Sequence, residues 1–241
     1  NLPQTHFALW GGQAAGIACA INPMLESRHV AEILRAAGAK VLVTLASGPG
    51  GELWDKMAAV VEQVPTLETV LQVSLAPFLV PGFVAQPVAP TSHAGRAVLD
   101  FDAECAREPG DRLVSGRVIR PGDIASYFHT GGTTGTPKIA RHTHANEVFM
   151  SWGVREWVGL GPGSVFLCGL PLFHVKAAIA TGLGTFCSGA TVRLAGIQGY
   201  RTPGLLAAFW RLIERYRVNY FSAVPTVYAS LLEVPVAGAA V

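Results

Sequence analysis

The chain has 241 residues and a formal net charge of +2; 50% of its residues are hydrophobic and 14% are charged. With 27 glycines and 16 prolines, this composition indicates a loop-rich α/β globular protein and excludes a coiled coil or a disordered polypeptide. The basic residues are scattered singly, which excludes a nucleic-acid-binding stripe and a basic patch for anionic membranes.

The sequence gives no indication of export or of membrane insertion. The uncharged stretch from Thr69 to Gly95 is interrupted by four prolines, which a spanning helix would not tolerate. The first residues lack the basic end and apolar run of a signal peptide. The four cysteines show no Cys-x-x-Cys pair, so they are predicted to be buried or free thiols in a reducing compartment: Cys19, Cys105, Cys168 and Cys187. We therefore expect a cytoplasmic protein without a transmembrane segment.

Helices and strands alternate in the first third of the chain. Small apolar residues predict a helix over 4–18, and Asn22-Pro23 breaks the chain after it. Glu26 to Ala37 is predicted to be an amphipathic helix that Gly38 caps. A strand at 40–45, a helix at 52–63 and a strand at 69–73 follow. This alternation predicts parallel strands joined by crossover connections.

A proline-rich stretch from Ala76 to about Pro109 has little periodicity, and it is predicted to be a connection with irregular structure. The chain is accordingly divided into three parts. The first α/β portion is expected at 1–75, the connection at 76–112 and the second α/β portion at 113–241.

The second half continues the alternation. The predicted elements are strands at 123–129, 164–170, 190–194 and 218–222, helices at 143–158, 175–187 and 204–217, and a last helix that opens at Pro225. The apolar side chains of the 204–217 helix, among them Phe209 and Trp210, are predicted to pack in the core. The expected fold is a layered α/β architecture with mostly parallel sheets flanked by helices.

The predicted strand at 123–129 leads into the sequence Thr130-Gly-Gly-Thr-Thr-Gly-Thr-Pro-Lys138. Gly131, Gly132 and Gly135 permit positive φ angles and a close approach of backbone N–H groups to an anion, while the threonine hydroxyls and Lys138 supply further donors. Because several converging donors of this kind could hold a triphosphate, the segment predicts phosphate binding. It is not a Walker A loop, because Pro137 separates Gly135 from Lys138 and Ile139 follows the lysine.

The order Thr-x-Gly-Thr-Thr-Gly-x-Pro-Lys resembles the ATP-binding signature of the acyl-adenylate-forming superfamily, which includes acyl-CoA synthetases and the adenylation domains of peptide synthetases. Two residues depart from that signature: Gly131 stands where the family usually has Ser, and Ile139 where it usually has Gly. The first departure removes one hydroxyl donor to phosphate, and both mark a divergent subgroup.

A second motif, Pro171-Leu-Phe-His174, follows the predicted strand at 164–170, at the strand end where α/β sheets bind their ligands. It is similar to an element of acyl-CoA synthetases whose histidine lines the passage between adenylate and acyl group. Ala223-Val-Pro-Thr-Val-Tyr228 is similar to a family segment that flanks the acyl pocket. The opening stretch, with an asparagine, a small-residue helix and Asn22-Pro23, also resembles the family, so that the resemblance covers nearly the whole chain.

The resemblance implies an AMP-forming acyl-CoA synthetase. Such an enzyme activates a carboxylic acid, here expected to be a fatty acid, with Mg-ATP to an acyl adenylate, and it then transfers the acyl group to coenzyme A. The implied catalytic residues are Lys138 and His174. The implied phosphate-binding residues are Thr130, Gly131, Gly132, Thr133, Thr134, Gly135, Thr136, Pro137 and Lys138, with Thr133 reaching the magnesium ion.

Later elements of the family have no counterpart in these 241 residues: the segments that hold adenine and ribose, and a mobile C-terminal domain with a catalytic lysine. We therefore expect a fragment of the larger N-terminal domain that is inactive by itself. Two other functions stay open. One is an amino-acid adenylation domain of a peptide synthetase, and the other is a non-catalytic nucleotide-binding module. Trp152, Trp157 and Trp210 could line an acyl pocket, but core packing is the favoured role for them.

Overall fold

The computed structural model describes residues 1–48, 52–79, 88–129 and 138–236. The chain forms two compact units, each assembled from stretches that are distant in sequence. Unit 1 comprises 1–20, 119–128 and 141–241, and unit 2 comprises 21–118 and 129–140. The three-part division at 75 and 112 stays a prediction about the chain.

Unit 2 is built on a four-stranded sheet with the strand order β2-β3-β5-β4. Strands β2, β3 and β5 pair in parallel, which confirms the predicted parallel pairing for β2 and β3, and β4 pairs antiparallel to β5. The elements are α2 (Ser27–Ala37), β2 (Val41–Leu45), α3 (Glu52–Glu62), β3 (Thr69–Val73), α4 (Ala76–Leu79), β4 (Thr91–His93), β5 (Arg96–Asp100) and α5 (Phe101–Arg107).

The core of unit 2 lies between its sheet and the apolar faces of α2 and α3. Val30 and Leu34 of α2 and Val60 of α3 pack in one buried cluster with Val70 of β3 and Val98 of β5. Gly38 ends α2 in the left-handed conformation, with a φ of 60°, as the sequence predicted. The predicted amphipathic helix is thereby confirmed.

The prediction of irregular structure over 76–109 was wrong for the short helix at 76–79 and for residues 91–107. Strand β5 pairs with β3 inside the sheet, and Val98 is fully buried. The Asp100 side chain then caps α5, since its Oδ1 atom accepts a hydrogen bond of 2.7 Å from the N–H of Ala103. Residues that disfavour regular structure surround β5 in the sequence. Its partner strand β3 supplies the hydrogen bonds that stabilise it.

Unit 1 contains two three-stranded sheets, with the orders β1-β6-β7 and β10-β8-β9. Strand β1 is parallel to β6, and both β9 and β10 are parallel to β8. The elements are α1 (Pro3–Ala15), β1 (Ala18–Ala20), β6 (Ile124–His129), β7 (Ile139–Thr143), α6 (His144–Val158), β8 (Val165–Cys168), a π-helix (Lys176–Leu183), α7 (Gly184–Cys187), β9 (Thr191–Leu194), a 3₁₀-helix (Gly199–Arg201), α8 (Phe209–Arg215), β10 (Tyr220–Ser222) and α9 (Pro225–Leu232). The α/β fold class is confirmed.

Three elements of unit 1 differ from the predictions. Strands β1 and β7 were missed, and the helix predicted over 204–217 begins only at Phe209. Residues 203–208 form turns, and Gly204 within them has a φ of 75°. The predicted apolar face nevertheless packs as expected, because Phe209 is fully buried and Trp210 lies against the same core cluster.

Candidate active site

The predicted phosphate segment follows the middle strand of a sheet. Strand β6 lies between β1 and β7, and its Ala125 and Ser126 are fully buried. Since β1 runs parallel to β6, their carboxyl ends lie at one sheet edge, where α/β sheets bind ligands. The eight residues from Thr130 to Pro137 lie outside the described residues. Lys138 precedes β7 and its side chain is exposed.

A buried carboxyl group connects the two strands that flank this segment. Glu147 of α6 is 2% exposed, and its Oε2 atom accepts a hydrogen bond of 2.8 Å from Nε2 of Gln13 on α1. Its Oε1 atom accepts a hydrogen bond from the Ser126 hydroxyl of β6 and lies 3.7 Å from Nδ1 of His142 on β7. The His142 ring in turn packs on the Phe128 ring, with 5.2 Å between ring centroids. One side chain therefore links α1, β6, β7 and α6.

Sequence reasoning missed this network because α6 has the reverse of the usual pattern. It buries the polar Glu147 and Ser151, which lie one turn apart, and it exposes Val148, Phe149 and Trp152. The only signal in the sequence is that the two polar residues share a helical face four residues apart. The usual expectation for an amphipathic helix, that the apolar face is buried, places the face with Glu147 and Ser151 in solvent.

The exposed side of α6 borders an open groove of about 610 Å³. Its lining residues are Ile119, Arg120, Pro121, His144, Ala145, Val148, Phe149 and Trp152. Trp152 is half exposed and Trp157 is 90% exposed, so the prediction of core packing was wrong for these two tryptophans. It is confirmed for Trp210, which packs in the core cluster and donates a hydrogen bond of 3.1 Å from Nε1 to the Val234 carbonyl.

His174 lies in a tight turn after β8. Its backbone N–H donates a hydrogen bond of 3.0 Å to the Pro171 carbonyl, and its own carbonyl accepts from the N–H groups of Ala177 and Ala178 at the start of the π-helix. The His174 side chain is exposed on one side and packs against the Phe173 ring, with 4.5 Å between centroids. Partial desolvation lowers the pKa of His174 below its ordinary value, which favours the neutral imidazole.

The strand before His174 and the strand before the third predicted segment are direct neighbours. Ser222 at the end of β10 is the register partner of Cys168 at the end of β8. Ala223 to Tyr228 follows β10, and the Tyr228 hydroxyl accepts a hydrogen bond of 3.3 Å from the Ala223 N–H. The structure therefore brings the starts of the two segments to one edge of a parallel sheet.

A second buried polar cluster lies where α1 packs against the end of the π-helix. His6 is 4% exposed, and its ring packs edge-on against Phe186, with 5.1 Å between centroids. Neither nitrogen of this ring has a hydrogen-bond partner among the described residues. A Cβ atom at Gly182 would come within 2.9 Å of the His6 ring, so the glycine is needed for this close approach. Burial lowers the pKa of His6 from its ordinary value of 6.5 to about 4.

Acid is expected to destabilise the protein through His6. The unfolded chain takes up a proton below pH 6.5 and the folded chain only near pH 4, so this contribution to stability is intact above pH 6.5 and is lost as the pH falls toward 4. The shift corresponds to a loss of about 3 kcal/mol. The free energy of unfolding, measured with urea between pH 7 and pH 4, should decline less steeply for His6→Leu than for the unmodified protein. An equal decline in both proteins would contradict this assignment.

All four cysteines are free thiols, as predicted. Burial raises the pKa of Cys19 to about 11 and that of Cys168 to about 12, so these two thiols are poor nucleophiles near neutral pH. Within the described ranges, every helix is too short or too polar to cross a membrane.

The chain matches the family model described as "AMP-binding enzyme" over residues 1–240. It is 37% identical over 244 residues to a marinolic acid–CoA ligase of Pseudoalteromonas sp. (strain SANK 73390), a match that covers 98% of this chain and 34% of that protein. It is 26% identical over 248 residues to a long-chain-fatty-acid–CoA ligase of Bacillus subtilis (strain 168), with 98% of this chain and 42% of that protein covered.

Among solved structures, the fold is similar to that of the O-succinylbenzoate coenzyme A synthetase of Bacillus subtilis in complex with ATP and magnesium ion. The TM-score is 0.65 at 22% identity, and the match covers 97% of this chain and 39% of that one. The chain thus spans roughly a third to two fifths of the length of the three proteins named here.

Proposed function

The chain belongs to the AMP-binding enzyme family, and from this premise we propose that the complete protein is an AMP-forming acid–thiol ligase. It activates a carboxylic acid with Mg-ATP to an acyl adenylate, with release of pyrophosphate, and transfers the acyl group to coenzyme A. The match over residues 1–240 carries this proposal. It is supported by relatives that are named as CoA ligases and that match 98% of the chain.

We assign phosphate binding to Thr130–Lys138, with Lys138 as a positive charge that stabilises the transferring phosphates and Thr133 as the hydroxyl that reaches magnesium. The donor set fits this task, since glycine N–H groups, threonine hydroxyls and an ammonium group are the groups that bind polyphosphates. Bound Mg-ATP supplies the adenylyl group that makes a carboxylate electrophilic. The exposed position of Lys138 directly before β7 is compatible with contact to a ligand.

We assign His174 to the approach of the acyl group and the thiol. Its turn lies at the carboxyl end of β8, next to the start of the segment from Ala223 to Tyr228. The lowered pKa of its imidazole favours the uncharged ring, which suits an apolar acyl chain better than an imidazolium would. The residue thus shapes the passage and is not required as a base.

The acid is proposed to be a fatty acid. This class is supported by the name of the Bacillus subtilis relative, a long-chain-fatty-acid–CoA ligase. Each buried methylene group contributes about 0.8 kcal/mol to binding, so pocket depth sets the chain-length preference. Short and medium acids should therefore be compared directly with long ones.

Acid-dependent exchange of labelled pyrophosphate into ATP tests the proposal on the complete polypeptide. Short, medium, long and aromatic acids and amino acids should be compared, and exchange is expected with fatty acids. Exchange with amino acids alone would instead indicate a peptide-synthetase adenylation domain. If no acid supports exchange although Mg-ATP still binds, the ligase proposal is wrong and a non-catalytic nucleotide-binding module accounts better for the sequence.

A further inference from the structure

The Asn1 side chain holds the turn that carries His174. Its Nδ2 atom donates a hydrogen bond of 2.9 Å to the Leu170 carbonyl, and its Oδ1 atom accepts one of 3.0 Å from the Leu172 N–H. These two groups lie on either side of Pro171, which has no N–H of its own. The carboxamide therefore pairs with this segment in the way that a neighbouring β-strand would, through one donor and one acceptor two residues apart.

The residue before this segment, Gly169, is held by close backbone packing against Gly199 and Tyr200. The Gly169 carbonyl accepts a hydrogen bond of 2.9 Å from the Tyr200 N–H. A Cβ atom at Gly199 would lie 2.1 Å from this carbonyl oxygen and 3.1 Å from Nδ2 of Asn1. The Tyr200 hydroxyl then donates a hydrogen bond of 3.0 Å to the Ser222 carbonyl at the end of β10. Hydrogen bonds to backbone carbonyls thus hold Gly169 and Leu170, the two residues that precede the turn.

The geometry points to a role for Asn1 beyond stability: we propose that Asn1 is a positioning residue, which sets the orientation of His174 through the Leu170–Leu172 backbone. The turn starts at Pro171, whose carbonyl accepts the N–H of His174, so one Asn1 hydrogen bond lies immediately before the turn, at Leu170, and the other lies within it, at Leu172. The Leu172 side chain is buried, which further fixes the turn. The catalytic consequence rests on the proposed function, because His174 matters for the reaction only if the protein is a ligase.

An asparagine is specifically suited to this place. A carboxamide has a donor and an acceptor in fixed geometry, whereas a carboxylate has acceptors only. Asn1→Asp would keep the hydrogen bond from the Leu172 N–H but would place a second oxygen 2.9 Å from the Leu170 carbonyl. This near-isosteric change therefore breaks one half of the contact, and Asn1→Ala breaks both halves.

The first experiment measures amide hydrogen exchange at His174 in the complete polypeptide, by mass spectrometry with single-residue fragmentation. Asn1→Asp is expected to speed exchange of the His174 amide about tenfold, because the turn loses one bond and gains a repulsion. Asn219→Ala is the matched control: the Oδ1 atom of Asn219 accepts a hydrogen bond of 2.8 Å from the Val165 N–H at the other end of β8. Unchanged His174 exchange in Asn1→Asp would overturn the proposal. If that variant does not fold, Asn1→Ala is measured in its place.

The second experiment asks whether Asn1 acts through His174. Asn1→Asp is expected to slow transfer of the acyl group from the adenylate to coenzyme A roughly tenfold and to leave the KM for ATP unchanged. In a His174→Ala background the same change should have little further effect, since coupled residues are not additive. Fully additive effects of Asn1→Asp and His174→Ala on the transfer rate would contradict the positioning role. If the unmodified protein shows no acid-dependent exchange of pyrophosphate, the proposed function fails, and the hydrogen-exchange result alone then decides whether Asn1 holds the turn.

Discussion

Lys138→Ala in the complete polypeptide is expected to lower the rate of acid-dependent adenylate formation roughly 100-fold, the usual cost of removing one group that stabilises charge in a transition state. The assigned role of Lys138 is a positive charge next to the transferring phosphates. Since that charge acts mainly in the transition state, kcat and kcat/KM should fall together. Single-turnover formation of the adenylate, measured with saturating acid, gives the rate directly.

Two further variants make this result specific. Lys138→Arg keeps the charge and should restore part of the rate, although a guanidinium differs in shape from an ammonium group. Lys40→Ala removes the same charge from an exposed ion pair with Glu68, where the Nζ–Oε1 distance is 3.0 Å, and should leave the rate unchanged. An unaltered rate in Lys138→Ala would mean that Lys138 has no part in the reaction.

Glu147→Ala is expected to destabilise α6 by about 3 kcal/mol, because the Ser126 hydroxyl and the Gln13 amide lose their buried acceptor. Hydrogen exchange of the backbone amides of residues 144–158 should consequently become roughly 100-fold faster, because the free energy of local opening falls by that amount. The measurement is local, so it does not depend on how the remainder of the polypeptide unfolds.

The same helix offers a matched control. Glu156→Ala removes a half-exposed carboxyl group whose Oε1 atom lies 3.6 Å from Nε of Arg155, and exposed pairs of this kind contribute at most about 1 kcal/mol. Glu147→Gln keeps one acceptor oxygen, so its amide exchange rates should lie between those of Glu147→Ala and Glu156→Ala. Equal exchange rates in Glu147→Ala and Glu156→Ala would show that the buried network does not stabilise α6.

Stability and activity are expected to be connected at Glu147. Strands β6 and β7 flank the predicted phosphate segment, and this side chain contacts both strands through Ser126 and His142. Lys138 directly precedes β7. Variants at Glu147 should therefore be compared with the unmodified protein for ATP binding as well as for hydrogen exchange.

Local patterns were sufficient for most helices and strands. The apolar spacing of α2 and the glycine after it specify a capped amphipathic helix, and the structure contains that helix. The run from Ile124 to His129 specifies a buried strand, which is β6. Motif order was also sufficient for the family, because phosphate-binding chemistry needs those residue types in that sequence.

Partners that are distant along the chain account for what the sequence did not reveal. Strand β5 lies in a stretch full of breakers and is stabilised by its pairing with β3, and the short strand β1 is defined by its pairing with β6. Asn1 contacts residues about 170 positions away, and Gln13 contacts Glu147 across 134 positions. A periodic pattern among residues that are neighbours in the sequence cannot reveal contacts over such separations.

The sequence by itself thus determined the α/β alternation and the family, and it contains the predicted phosphate segment with Lys138 and the Pro-Leu-Phe-His174 motif, because each depends on residues that are adjacent in the chain. Tertiary structure alone decided that α6 buries Glu147 and exposes Trp152 and Trp157, and that Asn1 holds the turn of His174. The physical reason is that burial and hydrogen-bond satisfaction depend on which distant groups meet. A buried carboxyl group is stable only where the donors of other elements surround it.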